Sequence, residues 1–151
     1  MISPAALAPQ VTSFSAAVTA VDDRHVVLAE SYFYPTGGGQ PADQGTIDAI
    51  PVVAVSTEGQ AIVHELADAP PFEVGDSIDA VVDTDFRRYT TRAHTASHVL
   101  YGAARRHCEE LGYAGFDISD ERVRIDLETP TPLDTDRLAA IATAANTVVW
   151  E

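Results

Sequence analysis

The spacing of apolar residues changes period once along this 151-residue chain, near Asp83-Thr84-Asp85, and that change limits what each half can fold into. Upstream of it, short apolar runs alternate with turn residues. Candidate strands lie at 11–21, 25–29, 45–50, 52–55, 61–66 and 77–82, broken by Asp22-Asp23, Glu58-Gly59, Pro70-Pro71 and Gly75-Asp76. Short strands this close together, with no helical period between them, predict a small β-barrel or curled sheet. Downstream, Tyr89, Ala93, Ala96, Leu100, Ala103, Ala104 and Leu111 recur at helical spacing, with Asp83 or Thr84 as cap and Gly112 as stop. Residues 122–128 then alternate as a half-buried strand. After Pro130 and Pro132, Asp134 opens a last helix with Leu138, Ile141, Ala142 and Ala145 inward. The expected class is α+β: residues 1–84 form the barrel-like domain and 85–151 a helix–strand–helix domain with a single clear strand.

Composition narrows the setting. No apolar run approaches the roughly 18 residues of a membrane-spanning helix, and the N-terminus lacks the basic stretch of a signal peptide. A cytoplasmic protein without a membrane partner is expected. Cys108 is the only cysteine, so no internal disulfide can form. The net charge is −14, and all nine basic residues are arginine. A lysine-free acidic surface suits concentrated salt, where carboxylate repulsion is screened, and points to a halophilic source. Such a charge argues against nucleic acid as partner. Yet Arg87, Arg88, Arg92, Arg105 and Arg106 fall within one window, either as a local basic patch or as helix-surface ion pairs with Asp83, Asp85, Glu109 and Glu110.

That window also holds His94 and His98. Four residues apart on a helix, two imidazoles share one face and can share one divalent ion. A lone pair of this kind is more often packed or capping. Thr95 follows the first histidine where a zinc peptidase of the HExxH kind carries its glutamate base, which argues against peptidase chemistry. Cys108 lies about 15 Å further along a continuous helix, too far to share the ion. Far upstream, Gly37-Gly38-Gly39 precedes Gln40. Three glycines permit unusual dihedrals and close approach of a ligand, or simply make a tight turn. No Lys-Ser/Thr follows, so this is not a phosphate-binding P-loop.

Taken together, Phe33-Tyr-Pro-Thr-Gly-Gly-Gly-Gln-Pro-Ala-Asp-Gln-Gly-Thr-Ile47, then Arg92-Ala-His-Thr-Ala-Ser-His-Val-Leu100, then Arg122-Val-Arg-Ile-Asp-Leu127 closely resemble the alanyl-tRNA editing proteins. These are the AlaX family, free-standing relatives of the editing domain of alanyl-tRNA synthetase. The resemblance covers nearly the whole chain. It implies a barrel followed by a two-layer α/β editing domain, and hydrolysis of the ester of tRNA(Ala) mischarged with serine or glycine. It makes His94 and His98 two ligands of a zinc ion. Thr36 and Gln40 become candidate catalytic residues, and Gly37, Gly38 and Gly39 with Arg88 and Arg92 candidate contacts to substrate or tRNA. Thr36 or Thr95 could recognise the serine hydroxyl. Asp117 stands where many synthetase editing domains carry a glutamine, and is read either as substrate-facing or as part of a strand-entry turn. The family completes its zinc site with a Cys-x-x-x-His element, which these 151 residues do not contain. The chain therefore reads as cut short within its second domain, with Trp150 exposed. Alternatives are a catalytically incomplete tRNA-binding or docking module, or the front of a longer synthetase-related enzyme. The oligomeric state is open.

Overall fold

The computed structural model describes residues 3–119 and 122–150; the Trp150 side chain, expected to be exposed, lies outside what is described. The chain forms two compact units, Met1–Tyr89 and Thr90–Glu151. In the first, a short helix α1 (Pro4–Leu7) precedes six strands: β1 (Ser13–Asp22), β2 (His25–Leu28), β3 (Gly45–Ile47), β4 (Ile50–Glu58), β5 (Ala61–Leu66) and β6 (Ser77–Val82). They close into an antiparallel barrel in the order β1-β2-β5-β4-β3-β6. Closure leaves no sheet edge to aggregate. Alternation fills the interior: Ile78, Ala80 and Val82 of β6 point in, with Ala16 and Val18 of β1, Val26, Phe33, Ile47, Val55 and Leu66. Register shifts between Val18 and Ala20 and between Val52 and Ala54 add the curvature that a small barrel needs. Gly45 has no alternative, because a Cβ there would lie 2.1 Å from the Val81 carbonyl oxygen.

The single strand expected over 45–50 is instead interrupted. The chain reverses at Asp48 and Ala49, both at positive φ (48° and 67°), and Ile47 pairs with Ile50. Two residues in this conformation match the right-handed twist of a hairpin. The missing signal was a glycine: Asp-Ala does not advertise the turn.

Two buried polar groups hold the long connection 29–44 between β2 and β3. At its start, His64 of β5 is fully buried, with Nδ1 3.0 Å from the Val26 carbonyl oxygen and Nε2 2.7 Å from Ser31 Oγ. A carbonyl only accepts, so Nδ1 carries the proton and Nε2 accepts from the serine. The Phe33 N–H in turn donates to Ser31 Oγ at 3.2 Å. At the other end, Asp43 meets Arg87, and both side chains are almost wholly buried. Arg87 Nε donates to both carboxylate oxygens (2.8 and 3.0 Å), Nη1 to the Pro9 carbonyl (3.0 Å), and Nη2 to Asp43 and to the Tyr32 carbonyl (2.6 Å). The Tyr34 N–H also donates to Asp43. Arg87 sits in the first turn of helix α2 (Thr84–His107), which is capped by Asp83 Oδ1 accepting from the Asp85 and Phe86 amides. This pair explains why the first turn of α2 belongs to the barrel unit. Burial also removes Arg87 from both surface roles read for the arginine window, the basic patch and the helix-surface ion pairs.

The second unit holds the rest of α2, an antiparallel pair β7 (Gly112–Ile118) and β8 (Val123–Glu128), and α3 (Thr135–Trp150). Its small core joins Ala103 and Ala104 to Ile141, with Cys108, Leu111, Leu127 and Leu133 against them. Strand β7 is a correction to the single strand read from the sequence. Its glycines and a register shift between Tyr113 and Gly115 hide the alternation. Helix α2 stops at His107, short of Gly112. Arg105, Arg106 and His107 suit the negative end of the helix dipole, whereas Glu109 and Glu110 oppose it. Asp134 caps α3 by accepting from the Arg137 amide at 2.8 Å. Leu138, Ala142 and Ala96, expected inward, are exposed.

Three measurements test this account. Arg87→Ala is expected to cost about 3–5 kcal/mol in urea unfolding, because it leaves a buried carboxylate uncompensated. Arg87→Lys should not restore it, since one ammonium cannot replace a planar fork of donors. Burial holds the His64 imidazole below its ordinary value near 6.5. The unfolded chain then binds a proton that the folded one refuses. Stability is therefore complete above that value and falls as pH drops below it, by up to about 1.4 kcal/mol per pH unit. An imidazole NMR signal for His64 titrating near 6.5 would contradict this. Ala49→Gly should raise stability by roughly 1 kcal/mol by relieving a left-handed alanine.

Candidate functional site

In the second unit, one turn of α2 places the His94 and His98 rings 5.0 Å apart, tilted by only 26°. His94 is half-buried and His98 exposed. Burial first, and the neighbouring His98 second, lower the His94 pKa and favour the neutral imidazole that can ligate a metal. The Phe116 ring lies 6.0 Å from His94 and walls that side of the pair. Between the histidines, Ser97 is buried and donates to the His94 carbonyl at 2.6 Å. Thr95, a candidate for hydroxyl recognition, already donates to the Thr91 carbonyl at 3.1 Å. The two imidazoles share one face of α2. Among the described residues, no cluster of three or more His, Cys, Asp or Glu side chains gathers around a common point. Cys108 packs into the small core instead.

Arg92 is exposed on α2. Asp117 is exposed near the end of β7, paired with Arg124 of β8, so it belongs to a strand and not to a turn. The sequence places Tyr101 on the histidine face of the helix but does not reveal Phe116 or Tyr113, whose ring lies 5.9 Å from that of Tyr101 at 88°. The available signal was three aromatics clustered near the histidines in sequence. Without β7, nothing indicated that they share a face.

The other expected site residues lie in the first unit. The glycine run makes a tight reversal in which the Gly37 N–H donates to the Gln40 carbonyl (3.2 Å) and the Gln40 N–H to the Gly37 carbonyl (3.0 Å). Gly38 and Gly39 have φ of 59° and 82°, the signature of a type I′ turn that a Cβ would penalise. Gly37 to Gly39 and Thr36 are exposed, and the Thr36 N–H is tied to the Val55 carbonyl at 3.0 Å. Gln40 is buried, which suits it to support the turn more than to face substrate. Arg88 is exposed and only loosely paired with Asp85, at 3.9 Å. No described helix is long and apolar enough to cross a membrane.

Comparison with known proteins agrees with this architecture. The chain is similar to the alanine–tRNA ligase of Methanosarcina acetivorans, 36% identical over 152 residues, and to that of Aeropyrum pernix, 33% identical over 148 residues; each match covers 95% of this chain. It is also similar to the alanyl-tRNA editing protein AlaX-M of Pyrococcus horikoshii, 33% identical over 120 residues and 78% of this chain. The chain spans 16% of the length of those ligases and 56% of that of AlaX-M. Residues 4–86 match the family of class II (A) tRNA synthetases, and the chain belongs to that family.

Proposed function

We propose that this chain edits mischarged tRNA(Ala), hydrolysing the ester that links serine or glycine to the tRNA 3′ end. The observation that carries this reading is the near-parallel His94–His98 pair on α2, in a chain homologous to an alanyl-tRNA editing protein. His94 and His98 would hold a zinc ion, with further ligands outside the described cluster. Bound there, zinc would polarise the ester carbonyl or lower the pKa of an attacking water.

The remaining work falls to the chain's own groups. Phe116, its ring 6.0 Å from that of His94, would limit water access to that side of the imidazole. The exposed Gly38–Gly39 turn lets a substrate approach backbone amides that a side chain would block. Serine would be told from alanine by a bond to its hydroxyl, for which Thr36 and Thr95 are the two candidate partners. Alanine cannot make that bond, which would separate serine from alanine; glycine, without a hydroxyl, would have to be admitted by its small size instead. Arg88 and Arg92 would contact phosphates of the acceptor end. Their exposure fits that role, as does the weak pairing of Arg88.

The reading is tested by release of serine from Ser-tRNA(Ala). The chain should release it faster than alanine from Ala-tRNA(Ala), by at least about tenfold. A chelator or His98→Ala should slow serine release by roughly 100-fold, equivalent to about 2.7 kcal/mol of barrier. Equal rates with chelator and in the variant would remove the metal from the mechanism. No release above the uncatalysed rate would remove the activity.

A further inference from the structure

One face of α2 carries His94, His98, Tyr101 and Arg105 at successive helical intervals of four, three and four residues. Strand β7 lies along the same face. Its Phe116 ring meets His94 at 6.0 Å, and its Tyr113 ring meets Tyr101 at 5.9 Å. A regular strand could not make both contacts. Residues three apart on a strand point to opposite faces, so Tyr113 should face away from Phe116. The register shift corrects this. Tyr113 pairs with Leu127 and Gly115 with Asp126, which makes Ala114 an extra residue. The bulge re-aims Tyr113 to the face shared by Phe116 and Ile118. The result is a short aromatic ledge beside the histidine pair. Tyr113 keeps 58% of its surface exposed although it packs edge-on against Tyr101.

A large ring held by one neighbour and open on its other side is a stacking surface. Charge indicates what stacks there. The chain carries −14 overall, yet Arg105 stands one turn beyond Tyr101 on the same face, exposed and in no ion pair among the described residues. An anion with a flat base attached satisfies both features, whereas an acidic peptide would use the arginine and leave the rings uncovered. We infer that the Tyr101–Tyr113 ledge stacks the unpaired terminal base of an RNA 3′ end, with Arg105 on the adjoining phosphate. The inference rests on the reading of this chain as a protein that takes the tRNA 3′ end, and it supplies that end with a seat. His98 stands one turn from Tyr101 on the same face of α2, so a base on the ledge lies beside the histidine pair.

The test is binding, separate from hydrolysis. An RNA tetramer ending in CC and 3′-terminal 2-aminopurine is titrated with the full chain, and fluorescence quenching reports stacking. The wild-type chain should quench the probe. Tyr113→Ala should weaken binding by about 5- to 100-fold and abolish quenching, the effect of losing one stacked base. Tyr113→Phe should keep both. Tyr113→Leu retains bulk without a π-face and should behave like the alanine variant. A probe with an abasic 3′ end should bind all four proteins equally, which separates stacking from any general loosening of the hairpin. Unchanged quenching in the alanine and leucine variants would overturn the inference, as would a wild-type chain that never quenches the probe. Quenching without serine release would instead overturn the editing activity and leave the seat standing.

Discussion

The buried Arg87–Asp43 pair is the constraint on which the first unit depends. Asp43 closes the long connection that carries the glycine turn, and it accepts from the Tyr34 amide within that same connection. Arg87 reaches the Pro9 and Tyr32 carbonyls as well. One guanidinium thus ties helix α2 to Pro9, Tyr32 and Asp43, three points that no strand ladder joins to it. A neutral core could fill the volume, and would often be at least as stable. It could not fix the backbone directions at those points, because apolar packing is not directional. His64 does the same at the other end of the connection, through Ser31. Irregular backbone this long is mobile unless polar contacts hold it. Here its two ends are fastened and the Gly37–Gly39 tip is left exposed.

Much of this was legible from side-chain period, and the parts that were not share a cause. Strands β5 and β6 show clean apolar patterns and stand where the sequence places them. Asp83 and Asp134 are caps because a short carboxylate before an apolar-periodic run has few other uses. The Asp48-Ala49 turn was hidden because tertiary pairing of β3 with both β4 and β6 forces a reversal that the local residues do not favour. Strand β7 was hidden because a bulge breaks the period of two. Arg87 was misplaced because sequence shows a charge but not its burial: four other arginines share its window, and only a carboxylate 44 positions upstream singles it out.

The site is divided similarly. The spacing of His94 and His98 fixed their shared face, since a helix leaves no freedom in that respect. Gln40 and Asp117 were harder, because each lies in a segment whose side-chain directions depend on non-local pairing. Gln40 turns out buried, and Asp117 stands in the last paired residues of β7.

The proposed RNA substrate sets an acidic chain an electrostatic conflict, and the second unit offers a way to meet it. Long-range repulsion from a −14 body opposes approach, but it is screened within about 10 Å at moderate salt. Contacts that survive screening are those made at short range, by stacking and by individual phosphates. A helix presenting two imidazoles, a tyrosine and an arginine along one face supplies such contacts from a rigid element, and the bulge in β7 adds two more rings. Binding of this kind draws little on the global field. Its salt dependence should therefore follow the few arginines at the site and not the net charge of the chain.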